Sequence, residues 1–318
     1  MAKLITGGLG FIGSRLAGKL VEQGEDVVLF DITTQTKLVD DIKDKVKIVR
    51  GDLTNWARVL HVVKEYDIDC IYHTGALLSA MAEEDPLATC MVNANGTLYV
   101  LEAARLFEVK KVIYLSSAAV YGPGLPERIG DDDIQRPTTM YGVTKVFCER
   151  LGEYYHRKFG LNFRAVRFPS IIGLGRAGGG ASAYTSLIIQ EAAAGRRYEV
   201  FVDEDARTPM MYVKDAVRSL IQLEQAEEKN LKRRVYSIEG FTPTPRAIEL
   251  ANAVKKYVPD ARIEFCPVPE MVDIVHNWAQ EIDGRNARQD WGFKAQYTLD
   301  EAIADFVNDF RARPDLYQ

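Results

Sequence analysis

Short apolar runs punctuate the first half of the chain: AKLIT, DVVLFD, VKIVRGD, DCIYHTG, KKVIYLSS and NFRAVRF. Between them lie longer stretches with apolar positions at helical spacing: Phe11 to Gln23, a stretch after RGD, Ala88 to Leu106, and Thr139 to Lys158. Strands alternating with helices predict a parallel sheet, because parallel neighbours need crossovers and crossovers are usually helical. The expected fold is α/β and doubly wound, with NFRAVRF as the sixth strand.

Beyond Phe168 the pattern loosens. The segment PSIIGLGRAGGGASAY fits neither a helix nor a strand in its first half and reads as a loop over a site. After it, short strands (YEVFV, RVYSI, RIEFC) mix with helices near Val213 to Glu224, Pro245 to Tyr257 and Leu299 to Phe310, which predicts a smaller C-terminal α+β lobe. Two domains are expected: residues 1–168 as the nucleotide-binding domain, and 169–318 mainly as the substrate lobe, with some segments returning to the first. No long linker separates them, so the lobes are expected to share a cleft.

Composition narrows the partner. The 318 residues are 47% apolar and 27% charged, with no run long enough to span a membrane. A net charge of −5 leaves no basic footprint for nucleic acid, so a small molecule is the expected partner. The start, MAKLITGG, lacks a signal-peptide pattern. Cys70, Cys90, Cys148 and Cys266 are scattered without a C-x-x-C, as buried thiols of a reducing compartment would be, and the cytoplasm is the expected location. His61, His73, His156 and His276 show no metal-ligand spacing, so no metal is expected. His73 reads as a packed strand end and the Asp131–Asp133 run as a solvated loop.

Candidate chemistry begins at TGGLGFIG. It follows the first strand and opens the first helix, satisfying G-x-G-x-x-G through Gly8, Gly10 and Gly13 and T-G-x-x-G-x-x-G through Gly7, Gly10 and Gly13. Glycines permit a tight turn, and free helix N-terminal amides can receive a pyrophosphate. Asp31 ends the second strand 18 residues past Gly13 (31 minus 13), where a carboxylate suits the ribose hydroxyls of NAD and repels the extra phosphate of NADP. Asp52 could contact the adenine or cap the next helix. A Rossmann-type NAD site is the reading.

Downstream, Tyr141 and Lys145 in PTTMYGVTK stand one helical turn apart, and Ser117 closes a strand upstream. This combination resembles the extended short-chain dehydrogenase/reductase superfamily, over nearly the whole chain. The resemblance implies that Ser117 orients the substrate oxygen, that Tyr141 exchanges a proton with it, and that Lys145 holds the nicotinamide ribose and lowers the Tyr pKa. It also implies cofactor contacts from Gly7, Gly10, Phe11, Ile12, Gly13, Asp31, Asp52, Leu53, Asn93, Tyr141 and Lys145. Asn93 would help to place the catalytic groups; the alternative is an ordinary helix-face residue.

Two branches compete. The first half looks like nucleotide-sugar epimerases and dehydratases, whereas ALLSAMAEEDP, RFPSIIG, DEDARTPMMYVKDA and IDGRNARQDWGF look like short-chain-type L-threonine dehydrogenases. An apolar wall at Pro209–Tyr212 would suit a small substrate. On that branch the substrate would meet Ser79, Ser117, Tyr141, Gly180 and Ser182, and the Gly178–Ser182 loop would close over it; for Ser79, capping or a backbone-bonded hydroxyl is the alternative. Where those dehydrogenases read G-G-G-T-T-D-Y, this chain has GGGASAY, and I-D-D-S becomes Ile282-Asp283-Gly284-Arg285. That leaves room for another small hydroxy acid with its carboxylate on an arginine. A binding module using NAD only as a ligand is a third reading. The resemblance implies a homodimer through the helices near Ala88–Leu106 and Thr139–Lys158, with a monomer as the alternative.

Overall fold

The computed structural model of the chain describes residues 1–176 and 179–314. Contacts gather into two compact units: residues 1–120, 135–167 and 217–236 form the first, and residues 121–134, 168–216 and 237 onwards the second. The chain therefore passes between units several times, and 168 is one of those passages.

The first unit is built on a seven-stranded sheet. Strands β1 (Ala2–Thr6), β2 (Val27–Asp31), β3 (Val46–Arg50), β4 (Ile68–His73) and β5 (Lys111–Ser117) lie in the order β3-β2-β1-β4-β5, and each of these pairs is parallel. Every residue of β1 is buried, as a strand covered on both faces requires. After β6 (Arg128–Ile129), which belongs to the second unit, β7 (Phe163–Phe168) pairs beside β5, and Val235–Ser237 completes the edge. Sequence alone counted six strands and left RVYSI to the smaller lobe. Three residues carry too little pattern to say which sheet they join; the choice is made by pairing with β7, where Ala165 N donates to Arg234 O at 2.7 Å.

Helices α1 (Phe11–Glu22), α2 (Trp56–Glu65), α3 (Ser79–Glu84), α4 (Pro86–Thr89), α5 (Gly96–Leu106) and α6 (Met140–Phe159) belong to this unit. Leu4, Val28, Phe30, Leu101, Val112, Tyr114 and Phe163 are among the residues of its core. The expected helix from Ala88 to Leu106 is not continuous. A π-helical stretch, Cys90–Asn95, separates α4 from α5. There the Asn93 carbonyl accepts from Thr97 Oγ1 at 2.6 Å and Cys148 Sγ at 3.2 Å, side-chain donors that compete with a regular helical ladder.

Helix α6 starts at its Thr139 cap, whose hydroxyl accepts from Gly142 N at 3.1 Å, and stops at Gly160 with φ +73°. With β2 on one side of β1 and β4 on the other, the strand order reverses at β1, and the carboxyl edge there is where this architecture binds ligands.

The second unit holds short parallel pairs, β6 with Glu281–Ile282, Ser170–Ile172 with Met210–Tyr212, and Tyr198–Val200 with Ile263–Phe265. Helices Tyr184–Ala193, Ala247–Tyr257 and Leu299–Ala312 pack among themselves beside them. Met210, Met211 and Tyr212 are fully buried, so the expected substrate wall is a core strand. Asp131, expected in a solvated loop, instead accepts from Asn286 Nδ2 at 2.8 Å and from the Ser237 amide.

Candidate active site

Gly7 follows β1 with φ +64°, and Gly10 N donates to Gly7 O at 3.1 Å to close the turn. Space decides two of the glycines. A Cβ on Gly13 would stand 2.2 Å from Gly7 O, and one on Gly7 would stand 2.7 Å from Gly75 Cα, so the loops after β1 and β4 meet backbone to backbone. Among the described residues no acceptor meets the amides of Phe11, Ile12 and Gly13, and the first turn of α1 carries no acidic side chain. That helix end is open to an anion.

Asp31 accepts from Leu9 N at 2.9 Å and Thr33 N at 3.1 Å, which ties its carboxylate to the glycine loop. Each oxygen keeps a lone pair for a hydroxyl donor. Asp52 accepts from Thr54 N at 2.8 Å; the cap of α2 is Asn55, not Asp52. Leu53 is buried, with its Cδ1 2.9 Å from where a Gly75 Cβ would lie. Phe11 carries the Arg15 guanidinium 4.7 Å above its ring, and Ile12 is buried. A glycine cradle, open amides and a fixed carboxylate fit a dinucleotide.

Ser117 closes β5, and Tyr141 and Lys145 stand in the first turns of α6, with Lys145 reaching back to Leu115 on β5. Half-buried Ser117 accepts from Ala119 N at 3.2 Å. Helix α6 reaches the turn after Ser117 because position 142 is glycine; a Cβ there would lie 2.4 Å from Ala119 O. Lys145 is buried, and its Nζ donates to Leu115 O at 2.5 Å while standing 5.4 Å from the Tyr141 ring centre and 4.7 Å from that of Tyr114. Burial pushes Lys145 down to about 8, opposed by Cys148 and Glu149. Such a group can change protonation near neutrality beside a phenol, which is what general acid–base chemistry at a hydroxyl needs.

The side chain of buried Asn93 accepts from Leu77 N at 2.8 Å and donates to Leu77 O at 3.0 Å and to Thr144 Oγ1 at 3.2 Å. Its amide thus fixes the loop before α3 and the neighbour of Lys145. Ser79 opens α3 half-buried, and among the described residues its hydroxyl has no hydrogen bond; the cap position of α3 is Leu78. In the second unit Gly180 is exposed with φ +75°, and Ser182 is held by Arg176, whose Nη1 donates to Ser182 O at 3.1 Å and Nη2 to Ser182 Oγ at 3.0 Å. Gly178 lies outside the described residues. Arg285 is exposed and donates to Asp283 at 2.6 Å. Among the described residues no cluster of three or more His, Cys, Asp or Glu could hold a metal, and no helix is long and apolar enough to cross a membrane.

Sequence reasoning passed over Thr144, Glu149 and Arg167. Glu149 sits one turn beyond Lys145 on α6, and Arg167 is a buried charge in a strand; that placement was the available signal.

The sequence matches the NAD dependent epimerase/dehydratase family over residues 3–238. It is 35% identical over 309 residues to the mitochondrial L-threonine 3-dehydrogenase of Bos taurus, covering 96% of this chain and 81% of that one. The solved L-threonine dehydrogenase of Clostridium difficile superposes with a TM-score of 0.90 at 34% identity, covering 100% of this chain and 99% of the other. A monomeric L-threonine 3-dehydrogenase from a metagenome superposes at 0.89 with 28% identity, covering 98% and 99%.

Proposed function

The chain belongs to the NAD-dependent epimerase/dehydratase family, and from that premise we propose that it oxidises L-threonine at the β-hydroxyl to 2-amino-3-ketobutyrate. The observation that carries the proposal is Lys145 Nζ, 5.4 Å from the Tyr141 ring centre and bonded to Leu115 O two residues before Ser117 on β5, in the unit that also presents the open glycine loop. The names of the relatives supply the substrate.

NAD, when bound, supplies the hydride acceptor. Gly7, Gly10 and Gly13 would admit its pyrophosphate to the amides of Phe11 and Ile12, and Asp31 would accept from ribose hydroxyls, with Asp52 and Leu53 beside the adenine. Ser117 would donate to or accept from the reacting hydroxyl. Tyr141 removes the hydroxyl proton. An unassisted phenol has a pKa of about 10, so the cation of Lys145 is needed to favour phenolate near neutrality. Asn93 keeps the Leu77 loop and Thr144 in place for this step. We assign Ser79, and in the second unit Gly180 and Ser182, to substrate recognition.

A second reading keeps the chemistry and changes the substrate. Ala183 is buried where the threonine dehydrogenases read Asp, so that position offers no carboxylate to an ammonium group, and a hydroxy acid without an amine becomes the competitor.

The test is incubation with NAD and a panel of L-threonine, small hydroxy acids and nucleotide sugars, following reduced nicotinamide by absorbance. L-Threonine should give net NADH, and Tyr141→Phe should lower kcat/KM by about 10²–10⁴-fold. Interconversion of nucleotide sugars without net NADH would replace the proposal with an epimerase, and full activity in Tyr141→Phe would remove Tyr141 from the proton step.

We propose further that the protein acts as a homodimer through the helical segments near residues 88–106 and 139–158. The four cysteines are free, which supports a reducing compartment such as the cytoplasm.

A further inference from the structure

One carboxylate in the first unit has no part in the proton transfer above and no exposure to solvent: Glu149. Its Oε1 accepts from Ser116 Oγ at 2.5 Å and Arg167 Nε at 2.9 Å, and its Oε2 from Gln135 Nε2 at 2.7 Å and Arg167 Nη2 at 2.9 Å. The donors come from three places. Ser116 immediately precedes Ser117 on β5, Gln135 lies in the strap that leads into α6, and Arg167 is on β7. Glu149 itself stands one turn after Lys145 and two after Tyr141 on α6.

Stability does not account for this arrangement. Taking a carboxylate and a guanidinium out of water is costly, and apolar residues of similar volume commonly pack such sites at least as well. A fully bonded polar network gives fixed geometry instead. We propose that Glu149 is a positioning residue for proton transfer: its clamp on Ser116, Gln135 and Arg167 sets the approach of α6 to the end of β5, and its charge acts on Lys145 one turn away. This rests on the reading of Tyr141 and Lys145 as the proton-transfer pair.

The surroundings of Lys145 make the electrostatic half specific. Tyr141, Cys148 and Glu149 face it from its own helix, Tyr114 from β5, and His73 from β4. Burial keeps His73 neutral, so it contributes no cation. Glu149 is the carboxylate that favours the ammonium there, with Arg167 offsetting part of its field.

The experiment titrates Lys145 directly, by NMR of the full-length protein labelled with [ε-13C]lysine in the presence of NAD; Lys145→Met identifies the resonance. Glu149→Gln alone strands the Arg167 charge in the interior, so the variant is the pair Glu149→Gln with Arg167→Met. Its Lys145 midpoint should fall by about half a pH unit or more. Ser116→Ala, which leaves both charges in place, should lower kcat about tenfold without moving the Lys145 midpoint or the KM for NAD. A Lys145 midpoint at the wild-type value in the folded pair variant, or a Ser116→Ala protein with wild-type kcat, overturns the proposal. The titration requires no substrate, so it is independent of whether threonine is turned over.

Discussion

At the scale of single residues, His73 shows how a buried side chain ties the end of β1 to α5. Its Nδ1 lies 2.6 Å from Thr6 Oγ1 and its Nε2 2.9 Å from Thr97 Oγ1. Because Thr97 donates to Asn93 O, its oxygen must accept from the ring; the proton sits on Nε2, and Nδ1 accepts from Thr6. Thr6 Oγ1 accepts in turn from Gly75 N at 3.2 Å. Burial, helped by the Lys145 cation, lowers the His73 pKa to about 3. Unfolded His takes a proton near 6.5, so between these values the unfolded chain binds more protons than the native one. The stability from His73 is therefore complete above about 6.5 and falls as the pH drops, by on the order of 4–5 kcal/mol across the window. Urea unfolding of the wild type and His73→Gln from pH 7 to pH 4 should show the wild type losing stability more steeply, by as much as about 1.4 kcal/mol per pH unit. Parallel slopes would mean that His73 is already charged in the folded protein. The sequence reading recognised His73 as a packed strand end because it terminates an apolar run. Its threonine partners were out of reach, since one is 67 positions away and the other 24.

Among secondary-structure elements, β7 shows what a strand pattern conceals. FRAVRF is wholly buried yet carries two arginines, and their positions, 164 and 167, point to opposite faces of the sheet. Arg167 meets Glu149 on α6. Arg164 meets the C-terminus of helix Val213–Gln225, where its Nη1 donates to Leu223 O at 2.6 Å, Glu224 O at 3.2 Å and Ala226 O at 2.7 Å. A guanidinium there satisfies carbonyls that the helix leaves open and sits at the negative end of its dipole. Each face of this edge thus has its helix pinned by one strand arginine. Arg164→Met should cost about 2–4 kcal/mol in urea unfolding. Amide exchange should locate the loss, accelerating in the last turn of helix 213–225 while α6 keeps its protection; uniform acceleration would mean that the arginine stabilises the unit without pinning that helix. Strand, helix and glycine loop were legible because each is written in local spacing. The π-helical stretch at Cys90–Asn95 was not, because one of the donors competing for the Asn93 carbonyl is Cys148, 55 positions along the chain.

For the whole molecule, the sequence offered one boundary at 168 and the expectation that some later segments return to the first unit, without saying which. Residues 217–236 rejoin the first unit without a change in composition or a linker to mark the return, and only contacts reveal it. The proposed dimer rests on the first unit's surface. On α6, Val143 and Phe147 are each 47% exposed and Tyr154 43%, along one stripe at positions i, i+4 and i+11. Leu87, at 75%, and Met91, at 36%, add apolar surface on the segment before α5. Contiguous apolar surface of this kind marks an interaction site, and a stripe on paired helices can meet its own copy across a two-fold axis. The wild type should therefore sediment as a dimer at micromolar concentration. Val143→Glu combined with Phe147→Glu would place like charges against each other across the axis and should give a folded monomer with unchanged circular dichroism. The metagenomic relative is described as monomeric, so the alternative is a real one. A wild-type chain that sediments as a monomer up to about 100 μM would leave the stripe without its proposed partner, because a dimer that loose is weaker than about −5.5 kcal/mol.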